Sequence, residues 1–238
     1  MIKTLRTIFK QDKEKFCIPR SVQQVIPIQA VWADGVFQVG RNKFTRTYKF
    51  MDINYAVASR EDQEAMFLEY SELLNSFDSG ATTKITINNR RLNRQDFEKA
   101  ILIPMREDGL DVYREEYNEM LLEKATGSNR MVQEKYVTVS VYKKTVEEAR
   151  SYFARVGTDL MGHFARLGSK CVELDATERL RALHDFYRAG EETAFFFDLQ
   201  QAMKKGHSFK DFICPDSFEF ERDHFKMGDR YGRVLFLR

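Results

Sequence analysis

Residues 136–142, Tyr-Val-Thr-Val-Ser-Val-Tyr, alternate apolar and polar side chains with period two, the mark of a half-buried strand. Thr145 then stands three residues before Glu148, the spacing of a capping box that opens a helix. From there Val146, Ala149, Phe153, Val156, Leu160, Phe164 and Leu167 recur at steps of three and four. This lays one apolar stripe along about six turns of helix. Gly168 can take the left-handed conformation that ends it, and residues 170–174 return as a short strand.

The flanking segments read in the same way. Residues 25–32 and 36–39 predict strands around the turn Ala33-Asp34-Gly35, and residues 44–51 predict a third, so 22–52 reads as a β-meander. Ser59 caps a helix over 60–77, with Phe67, Tyr70, Leu74 and Phe77 as its inner stripe. Residues 82–89 alternate again, with Ile85 and Ile87 pointing one way. Asn93 with Asp96 starts a short helix bearing Phe97 and Ile101 and stopped by Pro104; Asp108 starts another bearing Leu110, Tyr113, Tyr117 and Met120. Asp175 and Glu178 repeat the capping spacing before Leu180, Leu183, Phe186 and Tyr187. Residues 192–204 read as helix, and 218–226 and 233–237 as two strands.

Three parts result: an N-terminal amphipathic segment (1–21), an α+β core (22–190) with a helical insertion (93–131), and a C-terminal segment (191–238). With the insertion removed, the middle runs strand, helix, strand, strand, helix, strand. That is the split βαβ order of a ferredoxin-like sandwich, an α+β fold.

Composition narrows the function classes. The chain has 238 residues, 43% of them apolar and 31% charged, as expected of a globular protein with a sizeable core. A net charge of +2 gives no general electrostatic argument for nucleic acid. No apolar run approaches the ~20 residues of a membrane-spanning helix. In residues 1–16, Ile2, Leu5, Phe9 and Phe16 oppose Lys3, Arg6, Lys10, Lys13 and Lys15. Such a helix suits an anionic membrane surface or a docking partner. The three cysteines, Cys17, Cys171 and Cys214, are widely spaced and odd in number, which favours free thiols and a cytoplasmic setting.

The chemistry is sparse. No Gly-x-x-x-x-Gly-Lys-Ser/Thr loop is present to wrap phosphates. In residues 35–42, two glycines stand five apart, but Arg41 and Asn42 follow the second. Asp175, at the end of Val172-Glu173-Leu174, reads as a helix cap rather than a magnesium ligand. His163, His184, His207 and His224 lack zinc spacing, and the first two read as interior or boundary residues. Cys171 reads as a core strand residue, and Cys214, before Pro215, as the more exposed thiol. Arg90, Arg91 and Arg94 form a small basic cluster. No catalytic, cofactor-binding or metal-ligating residue is expected. The apolar ending Phe236-Leu237-Arg238 leads us to expect the front of a longer protein.

Several stretches carry a family resemblance: Met1-Ile2-Lys3-Thr4-Leu5, Val22-Gln23-Gln24-Val25-Ile26-Pro27, and Tyr48-Lys49-Phe50-Met51-Asp52-Ile53-Asn54-Tyr55. Leu73-Leu74-Asn75-Ser76, Lys84-Ile85-Thr86-Ile87-Asn88-Asn89-Arg90-Arg91 and Phe225-Lys226-Met227-Gly228-Asp229-Arg230-Tyr231-Gly232-Arg233 add to it. In these the chain resembles the N-terminal region of the VirB-four-like type IV secretion ATPases of conjugative elements, in their Gram-positive form. The resemblance implies a non-catalytic assembly and docking domain at the inner face of the membrane. Its partners would be other type IV secretion components and its own motor domain. ATP, magnesium and most hexamer contacts would belong to that motor, leaving this part a monomer or weak dimer. The docking surface is then expected around Phe218, Phe220, Phe225 and residues 234–237. Two alternatives remain: a stand-alone nucleic-acid-binding α+β protein, or a small enzyme using Cys214 or a histidine.

Overall fold

The structure is a computed structural model and describes residues 18–91, 102–127, 131–191 and 195–236. Strands β1 (Ala30–Val31), β2 (Phe37–Gly40) and β3 (Lys43–Phe50) form the expected antiparallel meander. The predicted strand over 25–32 is shorter than its alternation suggests. A single-turn helix, α1 (Val22–Val25), precedes it, and Pro27 supplies no N–H to a ladder. Gly35 makes the β1–β2 turn at φ +81°, where a Cβ would run into the Leu174 carbonyl oxygen.

The core then alternates helix and strand: α2 (Arg60–Asn75), β4 (Thr82–Arg91), α3 (Asp111–Gly127), β5 (Met131–Tyr142), α4 (Val146–Arg166), β6 (Cys171–Glu173) and α5 (Ala176–Tyr187). Spatial order is β6–β3–β5–β4, every pairing antiparallel. Strands β3 and β4 therefore run parallel with β5 between them, and β5 and β6 run parallel with β3 between them. Two interlocked split βαβ units are the ferredoxin-like arrangement, and the α+β class is as the pattern predicts. The outer edge of β3 is divided: β2 pairs with residues 43–45 and β6 with residues 48–50.

Helix α4 begins where the sequence places it, with Thr145 Oγ1 accepting from the Glu148 amide at 3.2 Å. Its stripe of Phe153, Leu160 and Phe164 is buried against Val137, Val139 and Val141 of β5. Phe50 stacks on Phe164 with ring centroids 4.8 Å apart. Gly157 lets α4 lie close over the sheet, since a Cβ there would run into the Glu173 carboxylate and lie 3.0 Å from Tyr48 Oη.

A second apolar cluster lies on the other face of the sheet. Ile26, Phe37, Leu180, Ile213 and Cys214 meet there, under α5. That helix starts at the predicted capping box, Asp175 with Glu178. Beyond it, only α6 (Leu199–Ala202) is helical in the stretch read as helix over 192–204, of which 192–194 lie outside the described residues. Phe195, Phe196 and Phe197 form no regular element.

The predicted strands over 218–226 and 233–237 are also corrected. The chain makes a small sheet of β7 (Phe218–Phe220), β8 (Phe225–Met227) and β9 (Arg230–Gly232). A turn closed by Glu221 N–H to the His224 carbonyl splits the first stretch in two. Arg233 bonds back to the Asp223 carbonyl and carboxylate instead of continuing a ladder. The amphipathic reading of residues 1–16 and the short helix read around Asn93 to Ile101 fall on or largely on residues outside those described.

Candidate functional site

Helix α2 carries a wide apolar arc, and only part of it reaches the core. Leu73 is buried and Met66 packs beside it against the main cluster. At about 100° per residue, Tyr70, Leu74 and Phe67 are rotated some 60–120° away from Leu73, toward the open β4 side. Phe67 is 64% exposed, Leu74 41% and Tyr70 40%. The predicted inner stripe is thus corrected for Phe67, Tyr70 and Leu74, which do not cover the sheet, while Phe77 packs against the core as expected. Ile85 and Ile87 share one face of β4, as their alternation predicts; it is the helix-bearing face, but they are 45% and 57% exposed. Phe67, Tyr70, Leu74 and Ile85, together with Ile53 and Phe77, line an apolar groove of about 320 Å³ between α2 and the sheet, and Ile87 continues the apolar surface along β4 beyond it.

Helix α2 is acidic overall, bearing Glu61, Asp62, Glu64, Glu69 and Glu72 against Arg60 alone. Glu69 and Glu72 face α4, however, and Glu64 is the carboxylate that lies beside Phe67. The outer edge of β4 pairs with no other strand among the described residues. Sheet face, free edge and apolar groove adjoin, leaving a position where a third helix would cover Ile85 and Ile87.

The cysteines and histidines serve the structure. Cys214 is buried, contrary to the exposed thiol expected from its place before Pro215; it packs with Ile26 and Ile213. Burial raises its pKa despite nearby Lys210, so it is not a poised thiolate. The Lys210 ammonium donates to the carbonyls of Gln23 and Ile26, each at 2.8 Å. Cys171 lies in β6, as expected, and burial pushes its thiol up to about 12. Cys17 lies outside the described residues, as do Arg94 and the side chains of Arg90 and Arg91. Asp175 caps α5. His184 is buried, His207 and His224 stand beside Asp211 and Asp223, and none of these three joins a multi-ligand set among the described residues.

The structure brings together one group that spacing could not reveal. Glu69 and Glu72 of α2 and His163 of α4 place their donor atoms within 4.8 Å of one another. Arg166 occupies this group: its Nε donates to Glu69 Oε1 at 2.8 Å, and a guanidinium nitrogen lies 2.6 Å from His163 Nδ1. Hydrogen bonds from His163 and Arg166 hold the Glu69 carboxyl below its usual range. A cation is therefore already supplied by the chain, and the group ties α2 to α4.

The C-terminal residues expected at a docking surface are divided. Phe218 stacks on Phe220 at 5.9 Å, Phe225 is half-buried, and Val234, Leu235 and Phe236 are exposed without a ladder partner among the described residues. No described helix is long and apolar enough to cross a membrane. A scan against models of known protein families finds none that matches this chain, and a sequence search of characterised proteins finds no match.

Proposed function

We propose that this domain is a docking module, and that its docking surface is the groove between α2 and β4. The observation that carries this reading is the exposure of Phe67, Tyr70, Leu74 and Ile85 around one apolar cleft, with exposed Ile87 next along the same face of β4. Exposed apolar side chains that are contiguous mark interaction surfaces, whereas scattered ones need no explanation. The occupant we assign is an amphipathic helix of a partner protein, with an apolar face and basic flanks. Its apolar face would cover Ile85 and Ile87, and a basic flank would meet Glu64, which lies beside Phe67. The chain's own α3 does not suit the position, because Glu115, Glu116, Glu119 and Glu123 would oppose Glu64 of α2.

The resemblance to the N-terminal region of type IV secretion ATPases of conjugative elements supports the same role. In that setting the domain is a non-catalytic part of a longer ATPase, and the partner is another component of the transfer apparatus. The test is pairwise binding of this chain to the apparatus proteins encoded alongside it. One of them should bind the wild-type chain and lose affinity by about tenfold or more with Phe67→Glu, which inserts a charge into the apolar contact. Because Phe67 is exposed, the variant should keep the wild-type melting temperature. Binding unchanged in Phe67→Glu, or no binding by any of them, would remove the assignment.

A further inference from the structure

The second face of the sheet has a different character from the first. Along β4 it presents Lys84, Thr86 and Asn88, and along β5 Tyr136, Thr138 and Ser140. Helix α5 covers this face only on the β2–β3 side, where Arg179 reaches Gly35 and Thr45. Between the uncovered hydroxyls and α5 runs a cleft of about 440 Å³. The size falls within the range of small-molecule sites. Its opposite wall is Leu183, Phe186 and Tyr187.

The charge lining this cleft is one-sided. No acidic side chain is among its described lining residues, which include Lys84 and Arg179, although the chain has 36 Asp and Glu against 38 Lys and Arg. Arg179 is buried and lies 3.8 Å over the Phe37 ring. Its guanidinium donates to the Gly35 carbonyl at 2.6 Å, the Thr45 carbonyl at 2.9 Å and Thr45 Oγ1 at 3.1 Å. No carboxylate among the described residues forms an ion pair with it. Burial, together with Arg46, pulls its pKa down to about 9, which leaves it a cation at neutral pH. A buried cation bonded only to neutral oxygens leaves a positive field in the adjoining space. Glu134, on the same face of β5, does not offset it locally, since Lys49 and the Tyr136 hydroxyl both bond to it at 2.8 Å.

Register places the donors together. Lys84 is directly opposite Thr138, and Ser140 is one diagonal step away, opposite Thr82. Such neighbours stand about 5–8 Å apart, close enough to converge on one tetrahedral anion. Phe186, 51% exposed at the mouth, meets Tyr187 at a steep angle with ring centroids 5.1 Å apart. Side chains that both donate and accept, such as Thr86 and Asn88, suit the polar edge of a heterocycle.

We propose that the cleft between α5 and the hydroxyl-lined face of β4 and β5 binds a small aromatic phosphate ester, with phosphate on Lys84, Thr138 and Ser140 and the ring against Phe186. The ammonium and the Ser140 hydroxyl supply charge-assisted hydrogen bonds to the phosphate oxygens, joined by Thr138 when its hydroxyl, 2.9 Å from Thr47 Oγ1, accepts from Thr47 and turns its own proton to the anion. The site is separate from the α2–β4 groove and rests on different residues.

The test is calorimetric or NMR titration of the full chain with adenosine monophosphate, phenyl phosphate, adenosine and inorganic phosphate. Adenosine monophosphate and phenyl phosphate should both bind saturably, and adenosine about tenfold more weakly for loss of the anion. Lys84→Glu should weaken both phosphate esters about tenfold or more, while Lys84→Arg should retain them. Phe186→Ala should weaken adenosine monophosphate and leave inorganic phosphate unchanged. Lys84 and Phe186 are exposed, so these variants should fold, as circular dichroism would show. Phe67→Glu should leave every titration unchanged, which separates this proposal from the docking groove. No saturable binding at about 10 mM, a level beyond which affinity carries little meaning, would overturn it. So would binding indifferent to Lys84→Glu, or affinity that climbs with oligonucleotide length, which belongs to a strand-binding surface.

Discussion

Leu160 and Phe67 show how far two apolar residues of similar size can differ in consequence. Leu160 is 1% exposed, at the contact of α4 with β5. Leu160→Ala should cost about 2–5 kcal/mol in chemical denaturation, the usual loss for a buried leucine truncation. Phe67 is largely in water, and Phe67→Ala should change stability by under about 0.5 kcal/mol. Arg179 gives a third residue-scale expectation. Arg179→Lys should lower stability by about 1–3 kcal/mol, because a single ammonium cannot span two carbonyls and a hydroxyl in the same planar geometry. Asp34 supplies a pH signature. Burial alone would raise its carboxyl, but the hydrogen bonds from Arg150 and the Val36 amide draw it below the usual range. A depressed folded pKa gives stability that is present above the unfolded carboxylate pKa and lost as pH falls through the folded value. Asp34→Asn should therefore lower stability at neutral pH and flatten the acid limb of the stability curve below about pH 4. An unaltered acid limb would mean that the Arg150 pair contributes nothing.

The elements were legible in the sequence to different degrees, for reasons that lie in their local chemistry. Helix α4 and the end of strand β5 appear where the caps and alternation place them, whereas β5 begins at Met131, five residues before the alternating stretch, because it extends to pair with the whole length of β4. The Asp175–Glu178 box was equally legible, because both partners are three residues apart. Asp175→Ala should cost about 1 kcal/mol through loss of the amide partner at the start of α5. Pattern failed where tertiary position decides. The apolar arc of α2 predicts burial, but Leu73 alone turns fully into the core while Phe67 and Leu74 face the open edge. Residues 218–226 alternate like one strand, yet a turn at Glu221 to His224 makes them two. Cys214 reads as a loop thiol, but Lys210 bonds to the Gln23 and Ile26 carbonyls and brings that loop under α5. Gly157 offers an element-scale check. Alanine there would gain roughly 1 kcal/mol of helix propensity. The close Tyr48 ring should outweigh that gain, so Gly157→Ala should lower the melting temperature.

At the scale of the molecule, the ferredoxin-like sheet presents two unlike faces. One is closed by α2 and α4 over an apolar core, except along β4, where the apolar surface continues into water. The other is polar and cationic, and is walled by α5. The strand order follows from pattern and connection alone. Neither the groove nor the Glu69–Glu72–His163 group could be read from spacing, since each joins residues on separate elements. The reading as a non-catalytic domain predicts no ATP turnover above a buffer blank; turnover abolished by a point substitution in this chain would contradict it. The docking role is tested most directly by hydrogen–deuterium exchange of the chain, alone and with whichever protein the pairwise binding test selects. Binding should slow exchange across residues 60–77 and 82–89 and leave α5 unchanged. Protection confined to residues 218–236 would contradict the groove assignment. So would a groove already protected in the isolated chain and released when residues 1–16 are removed, since the chain's own basic segment would then be its occupant.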